Sequence, residues 1–123
     1  MGDTDANSLI YLDQEFTSGK LRAGLINAAT TKWTMATDAI AFSKDTWTHV
    51  AVTHNATAPI LYVNGTAVAQ TFSVSTDKTP WISSIAGLDN CRIGDRNYNS
   101  TGETLYYSGL IDEVSFWDTA LSA

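Results

Sequence analysis

The sequence predicts a single all-β domain, an antiparallel sandwich built from two sheets. Its 123 residues leave room for one domain. Several short runs alternate apolar with polar residues, and turn-forming residues separate them, whereas helical spacing is hard to find. Hydrophobic residues make up 44% of the chain and charged residues 16%, which favours a folded domain with a weakly charged surface.

The first third of the chain contains three candidate strands. Residues 8–13 alternate, with Leu9, Tyr11 and Asp13 on one face. Residues 20–26 follow a turn that Gly19 ends, and residues 31–36 form the third candidate strand.

The middle third contains the stronger candidates, which are residues 47–54, 60–63 and 67–74. Asn64 and Gly65 separate the second of these runs from the third, and both residues tolerate a positive φ. The pair therefore predicts a tight hairpin.

The last third predicts a short strand at 91–94 and one or two long strands within 106–117, separated by the polar stretch 95–103. We expect Trp47 in the middle third and five apolar side chains of the last third to be buried, the latter being Cys91, Ile111, Val114, Phe116 and Trp117.

Composition excludes several classes of function. No apolar run approaches the length of about 20 residues that a membrane-spanning helix needs. The formal net charge is −6 and no basic stripe is visible, so we expect neither nucleic-acid binding nor membrane insertion. The single cysteine excludes an intrachain disulfide and a CxxC site. The first residues lack the apolar core of a signal peptide.

Four sequence pieces occur in a characteristic order. They are Trp47-Thr-His-Val-Ala-Val-Thr-His54, Leu61-Tyr-Val-Asn-Gly65, Arg92-Ile-Gly94 and Ser108-Gly-Leu-Ile-Asp-Glu-Val-Ser-Phe-Trp-Asp118, the last followed by Ala120-Leu-Ser122. From about Ser8 to Ala123 the chain resembles the laminin-G-like jelly rolls of the concanavalin A-like lectin/glucanase superfamily, particularly bacterial and phage LamG modules and their pentraxin relatives.

The resemblance implies one LamG-like β-sandwich over residues 8–123, preceded by a disordered or added stretch at residues 1–7. Family members usually carry a further first strand and a returning last strand. We therefore expect the terminal strands to be missing here, because the chain is a fragment or because another chain supplies them. An uncovered sheet edge favours strand addition, which predicts a homo-oligomer formed through that edge.

Carboxylate spacing argues against an enzyme. Glucanases of this fold need two carboxylates facing one cleft. Asp112 and Glu113 are adjacent, so on a strand they point to opposite faces. Only a remote pair such as Asp95 with Glu103 could meet through loop folding. His49 and His54 also face opposite ways, and we interpret both as structural residues.

A calcium site is one hypothesis for the polar stretch 95–103. Calcium takes six to eight oxygen ligands, which carboxylates, amides and loop carbonyls supply. By resemblance to pentraxins, Asp95, Asn97 and Glu103 occupy places comparable to metal ligands. The Asp-Asn pair that pentraxins add from an earlier loop is absent from residues 13–19. The alternative is an ordinary polar loop.

A glycan site is a second hypothesis. Sugars are recognised by an aromatic face together with amides and carboxylates that bond hydroxyl groups. The candidate residues lie on predicted connections and strand ends: Trp81, Asp89, Asn90, Asn97, Tyr98 and Tyr106. The alternative is that these aromatic residues only close the core.

The sequence therefore predicts a non-catalytic recognition or adhesion module that binds a glycan or cell-surface ligand through edge loops. Its resemblance implies a secreted, cell-surface or phage-associated protein, with an extracellular, cell-surface or virion location. The alternative is a structural assembly module, such as a virion decoration or fibre domain, that self-associates through an open sheet edge.

Overall fold

The computed structural model contains two antiparallel sheets and describes residues 1–2, 7–96, 105–117 and 119. One sheet has the strand order β1-β2-β3-β7 and the other has the order β4-β5-β6. The strands are β1 Leu9–Gln14, β2 Leu21–Asn27, β3 Thr30–Thr37, β4 Val50–His54, β5 Pro59–Val63, β6 Thr66–Ala67 and β7 Gln70–Ser75. The all-β prediction is confirmed.

The core lies between the two sheets. The four-stranded sheet contributes most of its buried side chains, which include Leu21, Leu25, Trp33 and Met35. The three-stranded sheet contributes Leu61, which is fully buried. Val50, Val52 and Val63 of the same sheet pack against this core while staying half-buried. The two sheets therefore form one sandwich, as the alternating runs predict.

The predicted Asn64-Gly65 hairpin is confirmed. Asn64 has a φ of 50° and Gly65 a φ of 78°, and the two residues join β5 to β6. Positive φ at both central positions matches the twist of the flanking strands. The Asn64 side chain also accepts a hydrogen bond from the backbone N–H of His49, 3.0 Å away.

The predicted strand over residues 67–74 is two strands in the structure. β6 ends at Ala67 and belongs to the smaller sheet, whereas β7 begins at Gln70 and pairs with β3 in the larger one. Ala69 lies between the two strands, and its carbonyl accepts a hydrogen bond from the N–H of Asp38 at 2.9 Å. The chain thus crosses from one sheet to the other within an uninterrupted β pattern.

The predicted strands at 91–94 and within 106–117 are not formed in the described part of the chain. Trp47, Phe116 and Trp117 are 65%, 64% and 67% exposed, so the prediction that they are buried is wrong. The same correction applies to Cys91, Ile111 and Val114, which are also exposed. Their composition is that of strand residues, but no neighbouring strand covers them in the described structure.

Two further observations concern the ends of the described chain. Met1 and Gly2, in the stretch predicted to be disordered or added, make backbone hydrogen bonds with Ile10 and Asn90. The only helix among the described residues is a three-residue 3-10 turn, Ile82–Ser84, and no described helix could cross a membrane.

Candidate functional site

A polar groove crosses the outer face of the four-stranded sheet. Its volume is about 390 Å³. Strand pairing sets its floor, because Arg22 lies opposite Ala36, and Ala36 opposite Thr71. This row runs from β2 across β3 to β7, and its centre carries only the methyl group of Ala36. A small residue between two longer ones leaves the depression open.

Most residues that line the groove carry a side chain that can bond a hydroxyl group. Its polar side chains include Glu15, Lys20, Arg22, Thr34, Asp38, Thr71 and Ser73. Cationic and anionic groups are mixed within it, so it presents donors and acceptors together without a single dominant sign. That chemistry suits a neutral ligand with many hydroxyl groups.

Arg22 is fixed in direction by its neighbours on β1. Its Nε donates to Asp13 Oδ1 at 2.9 Å and its Nη2 to Asp13 Oδ2 at 2.7 Å, a bidentate pair. The Glu15 carboxylate lies 4.0 Å from Nη1. The hydrogen bonds to Asp13 raise the pKa of the Arg22 guanidinium, and burial partly opposes this shift. The remaining guanidinium N–H groups are therefore held in place beside the groove.

Tyr11 supports this arrangement from the side. The Arg22 guanidinium carbon lies 5.5 Å from the centre of the Tyr11 ring. The ring lies across Gly24, where an added Cβ would clash with Tyr11 Oη. Burial raises the pKa of Tyr11, and a side-chain hydrogen bond with Thr34 opposes that shift. Glycine is thus required at position 24 for the tyrosine to lie flat.

Asp38 forms the opposite wall. Thr71 Oγ1 donates to its Oδ1 at 2.7 Å, which links the end of β3 to β7. Across the groove, Ser18 donates a hydrogen bond to Glu15. Both carboxylates keep further lone pairs for a ligand, since each can accept several hydrogen bonds.

The residues predicted for the glycan site occupy different surroundings. Trp81 is half-buried and stacks between Trp33, with ring centres 6.1 Å apart, and His54, at 5.2 Å. The Trp33 indole N–H also donates to the carbonyl of Pro80 at 3.0 Å. Trp81 therefore has a packing role, and sugar binding by its exposed part stays a prediction.

Asp89 and Asn90 lie together. The Asn90 amide donates to Asp89 Oδ1 at 3.0 Å, and both residues donate backbone hydrogen bonds to the carbonyl of Gly2. Tyr106 is 69% exposed. Asn97 and Tyr98 lie outside the described residues.

The predicted calcium ligands are only partly described. Asp95 Oδ2 lies 3.7 Å from Arg92 Nη1, and its side chain is largely buried. Asn97 and Glu103 lie outside the described residues. Within residues 1–2, 7–96, 105–117 and 119, no group of three or more His, Cys, Asp or Glu side chains could hold a metal ion. The calcium site stays a prediction.

Sequence reasoning missed the groove, although part of its signal is visible. The alternation of residues 8–13 places Tyr11 and Asp13 on one face, and Arg22 lies on the next strand. The pairing register that brings Asp13 opposite Arg22 and Ala36 opposite Thr71 depends on the fold. Alternation alone does not determine it.

Comparison with known proteins adds one finding. The family model described as the concanavalin A-like lectin/glucanases superfamily matches residues 2–123. No curated protein and no solved structure gives a significant match.

Proposed function

Because this chain belongs to the concanavalin A-like lectin/glucanase superfamily, we propose that it is a non-catalytic carbohydrate-binding module whose ligand lies in the polar groove. The observation that carries this proposal is Arg22, which Asp13 holds in a bidentate pair beside a row of hydroxyl and carboxylate groups. Prearranged donors of this kind bind without a large ordering cost.

The ligand we propose is a neutral oligosaccharide. The groove mixes Arg22 and Lys20 with Glu15 and Asp38, so it carries no dominant sign of charge that would favour an ionic ligand. The net charge of −6 disfavours acidic glycans over neutral ones. Location on a secreted, cell-surface or phage-associated protein stays a prediction.

Titration of the protein with neutral oligosaccharides tests the proposal, with variants that change the groove in two ways. Ala36→Leu fills the floor without removing a polar group, and Asp38→Asn removes one charged acceptor. Loss of one hydrogen bond to a charged group costs about 1.5–3 kcal/mol, which corresponds to a loss of affinity of about 10–100-fold. We expect Asp38→Asn to weaken binding by this factor, and Ala36→Leu to weaken binding because its larger side chain excludes the ligand from the floor.

The controls distinguish the groove from the glycan site that the sequence predicts on the edge loops around Trp81 and Tyr98, called here the rim. Asp45→Asn removes a carboxylate from an exposed position outside the groove and should leave affinity unchanged. Trp81→Ala combined with Tyr98→Ala tests the rim. Binding that survives the groove variants and is lost in this double variant would move the ligand to the rim. A complete lack of glycan binding would contradict the function itself.

Two further measurements test the predicted calcium dependence and the predicted lack of catalysis. Titration in calcium and in chelator checks the predicted metal dependence of the 95–103 stretch. Incubation of the protein with polysaccharide, followed by measurement of reducing ends, checks the absence of hydrolysis. Release of new reducing ends that Asp38→Asn or Glu15→Gln abolishes would contradict a purely binding role.

A further inference from the structure

The segment of residues 105–117, called here the C-terminal segment, exposes an unusual amount of apolar surface. Eight large apolar side chains in it are between 42% and 78% exposed. They are Leu105, Tyr106, Tyr107, Leu110, Ile111, Val114, Phe116 and Trp117. The largest apolar patch on an ordinary monomer covers about 300–600 Å². The four aromatic side chains of this segment alone expose on the order of 500 Å².

The C-terminal segment has the composition of a strand but a conformation that interrupts one. β-branched and aromatic residues dominate its second half, which favours extended backbone. Glu113, in the middle, has a φ of 52°, a left-handed conformation that costs about 1 kcal/mol or more for a residue with a Cβ. Extension of the segment as a paired strand would release this strain.

An acceptor for such a strand exists at the edge of the smaller sheet. β4 pairs with β5 on one side and is an edge strand of the described sheet. The Asn64 N–H donates to the carbonyl of His49 at 2.8 Å, so His49 and Asn64 form a hydrogen-bonded pair. This pair determines which of the following residue pairs of β4 and β5 are hydrogen-bonded and which are not. Hydrogen-bonded and non-hydrogen-bonded pairs alternate along an antiparallel ladder, and Val50 and Val52 belong to non-hydrogen-bonded pairs. Their backbone N–H and C=O groups therefore point away from β5, toward the open edge.

The surroundings of this edge are apolar as well. The side chains of Val50 and Val52 pack against the core yet stay half-buried. Trp47, three residues before β4, is 65% exposed. A strand added beside β4 would cover these side chains and extend the core by one strand.

We propose that two copies of this chain associate by mutual strand exchange, in which the C-terminal segment of each copy pairs with the open edge of β4 in the other. The area that this exchange buries is sufficient for a stable dimer. Because side chains alternate between the two faces of a strand, each segment contributes about half of its exposed apolar side chains and covers a similar area on its acceptor. Two such contacts remove on the order of 1,000–2,000 Å² from water, the range for specific interfaces.

Light scattering on the intact chain across a concentration series tests this association. We expect a dimer that dissociates on dilution. The double variant Phe116→Ser/Trp117→Ser removes two exposed aromatic side chains and should raise the dissociation constant by at least tenfold, since each buried aromatic side chain contributes about 1.5–3 kcal/mol. The matched control is Phe16→Ser, at a 98% exposed position in the turn after β1, and it should have no effect.

Hydrogen exchange identifies the acceptor edge. In the dimer the amides of Val50 and Val52 should be protected. Dilution, or the Phe116→Ser/Trp117→Ser substitutions, should return them to fast exchange. A monomer at every concentration, a dimer that the double variant does not weaken, or a dimer in which both amides exchange fast would each overturn the proposal. Because glycan titration of the groove is a separate measurement, its failure and this one are distinguishable.

Substitution of Glu113 gives a second, independent test of the strand conformation. Glu113→Gly favours the left-handed backbone that the segment has in the monomer, whereas Glu113→Val favours the extended backbone of a paired strand. Both variants remove the same charge. We expect the valine variant to dimerise more tightly than the glycine variant by about three- to tenfold. Equal dissociation constants would contradict strand formation by the segment.

Discussion

Tyr11 makes the stability of the four-stranded sheet sensitive to alkaline pH. Burial raises the pKa of its phenol above the ordinary value of about 10, so the folded chain holds this proton more tightly than the unfolded chain. The corresponding stability is complete below the unfolded pKa and is lost as the pH rises through the folded pKa. Urea unfolding between pH 8 and 11.5 should show a steeper loss of stability for the native chain than for Tyr11→Phe. Equal slopes would contradict this role.

Gln70 connects the two sheets through its amide. The Leu61 N–H donates to Gln70 Oε1 at 2.8 Å, and Gln70 Nε2 donates to the carbonyl of Pro59 at 2.9 Å. Both bonds satisfy backbone groups of β5 beside the fully buried Leu61 side chain. An unmade bond at a buried backbone group costs about 1–3 kcal/mol.

We therefore expect Gln70→Ala to lower the free energy of unfolding by about 1–3 kcal/mol in urea titrations. Gln14→Ala, at an exposed position on β1, is the control and should stay within about 0.5 kcal/mol of the native value. Similar losses in the two variants would show that the amide of Gln70 contributes nothing specific.

Single residues also show where sequence reasoning fails. The apolar character of Trp47 and Cys91 predicts burial, but both are exposed. Burial depends on what lies opposite a side chain, and the residue type does not contain that information. Trp33 on β3 is fully buried, because its side chain lies on the face of the larger sheet that packs against the smaller one.

Among the elements, the β5–β6 hairpin depends on its glycine. Gly65 has a φ of 78°, and no atom lies within 4 Å of the place that an added Cβ would take. Gly65→Ala therefore causes backbone strain without a clash, and we expect it to lower the free energy of unfolding by about 1 kcal/mol. Thr66→Ala, at the next, exposed position, is the control for thermal unfolding. No difference between the two variants would contradict the positive φ.

Elements with local signals were predictable and elements without them were not. Turn chemistry at Asn64-Gly65 and the alternation in β3 depend on neighbouring residues, so the sequence contains them. The separation of β6 from β7 depends on which sheet each strand joins. The β pattern of residues 67–74 is continuous across that crossing, so it predicts one strand.

For the whole molecule, net charge opposes the proposed dimer. Each copy carries a formal charge of −6, so two copies repel one another. Salt screens this repulsion, with a screening length of about 10 Å at 0.1 M. We expect the dimer to tighten as salt rises from 0.05 to 0.5 M in light scattering, while the affinity of the groove for a neutral oligosaccharide stays constant. A dimer that weakens with salt would contradict an apolar interface.

The architecture of the whole molecule was more predictable than its candidate site. Period-two patterns and ordered sequence pieces indicate the all-β sandwich, and the family match over residues 2–123 agrees. The floor of the groove is a row of residues from three strands, Arg22, Ala36 and Thr71. No two neighbours in that row are close in sequence, so no local motif indicates it.

The exposed thiol of Cys91 has a practical consequence for solution work. It is the only sulfhydryl in the chain, so air oxidation can join two molecules covalently by a route that involves neither sheet. Such a product would survive dilution. The same atom offers a single chemical handle, so a maleimide dye or a biotin tag would attach at one defined point and leave every strand unmodified.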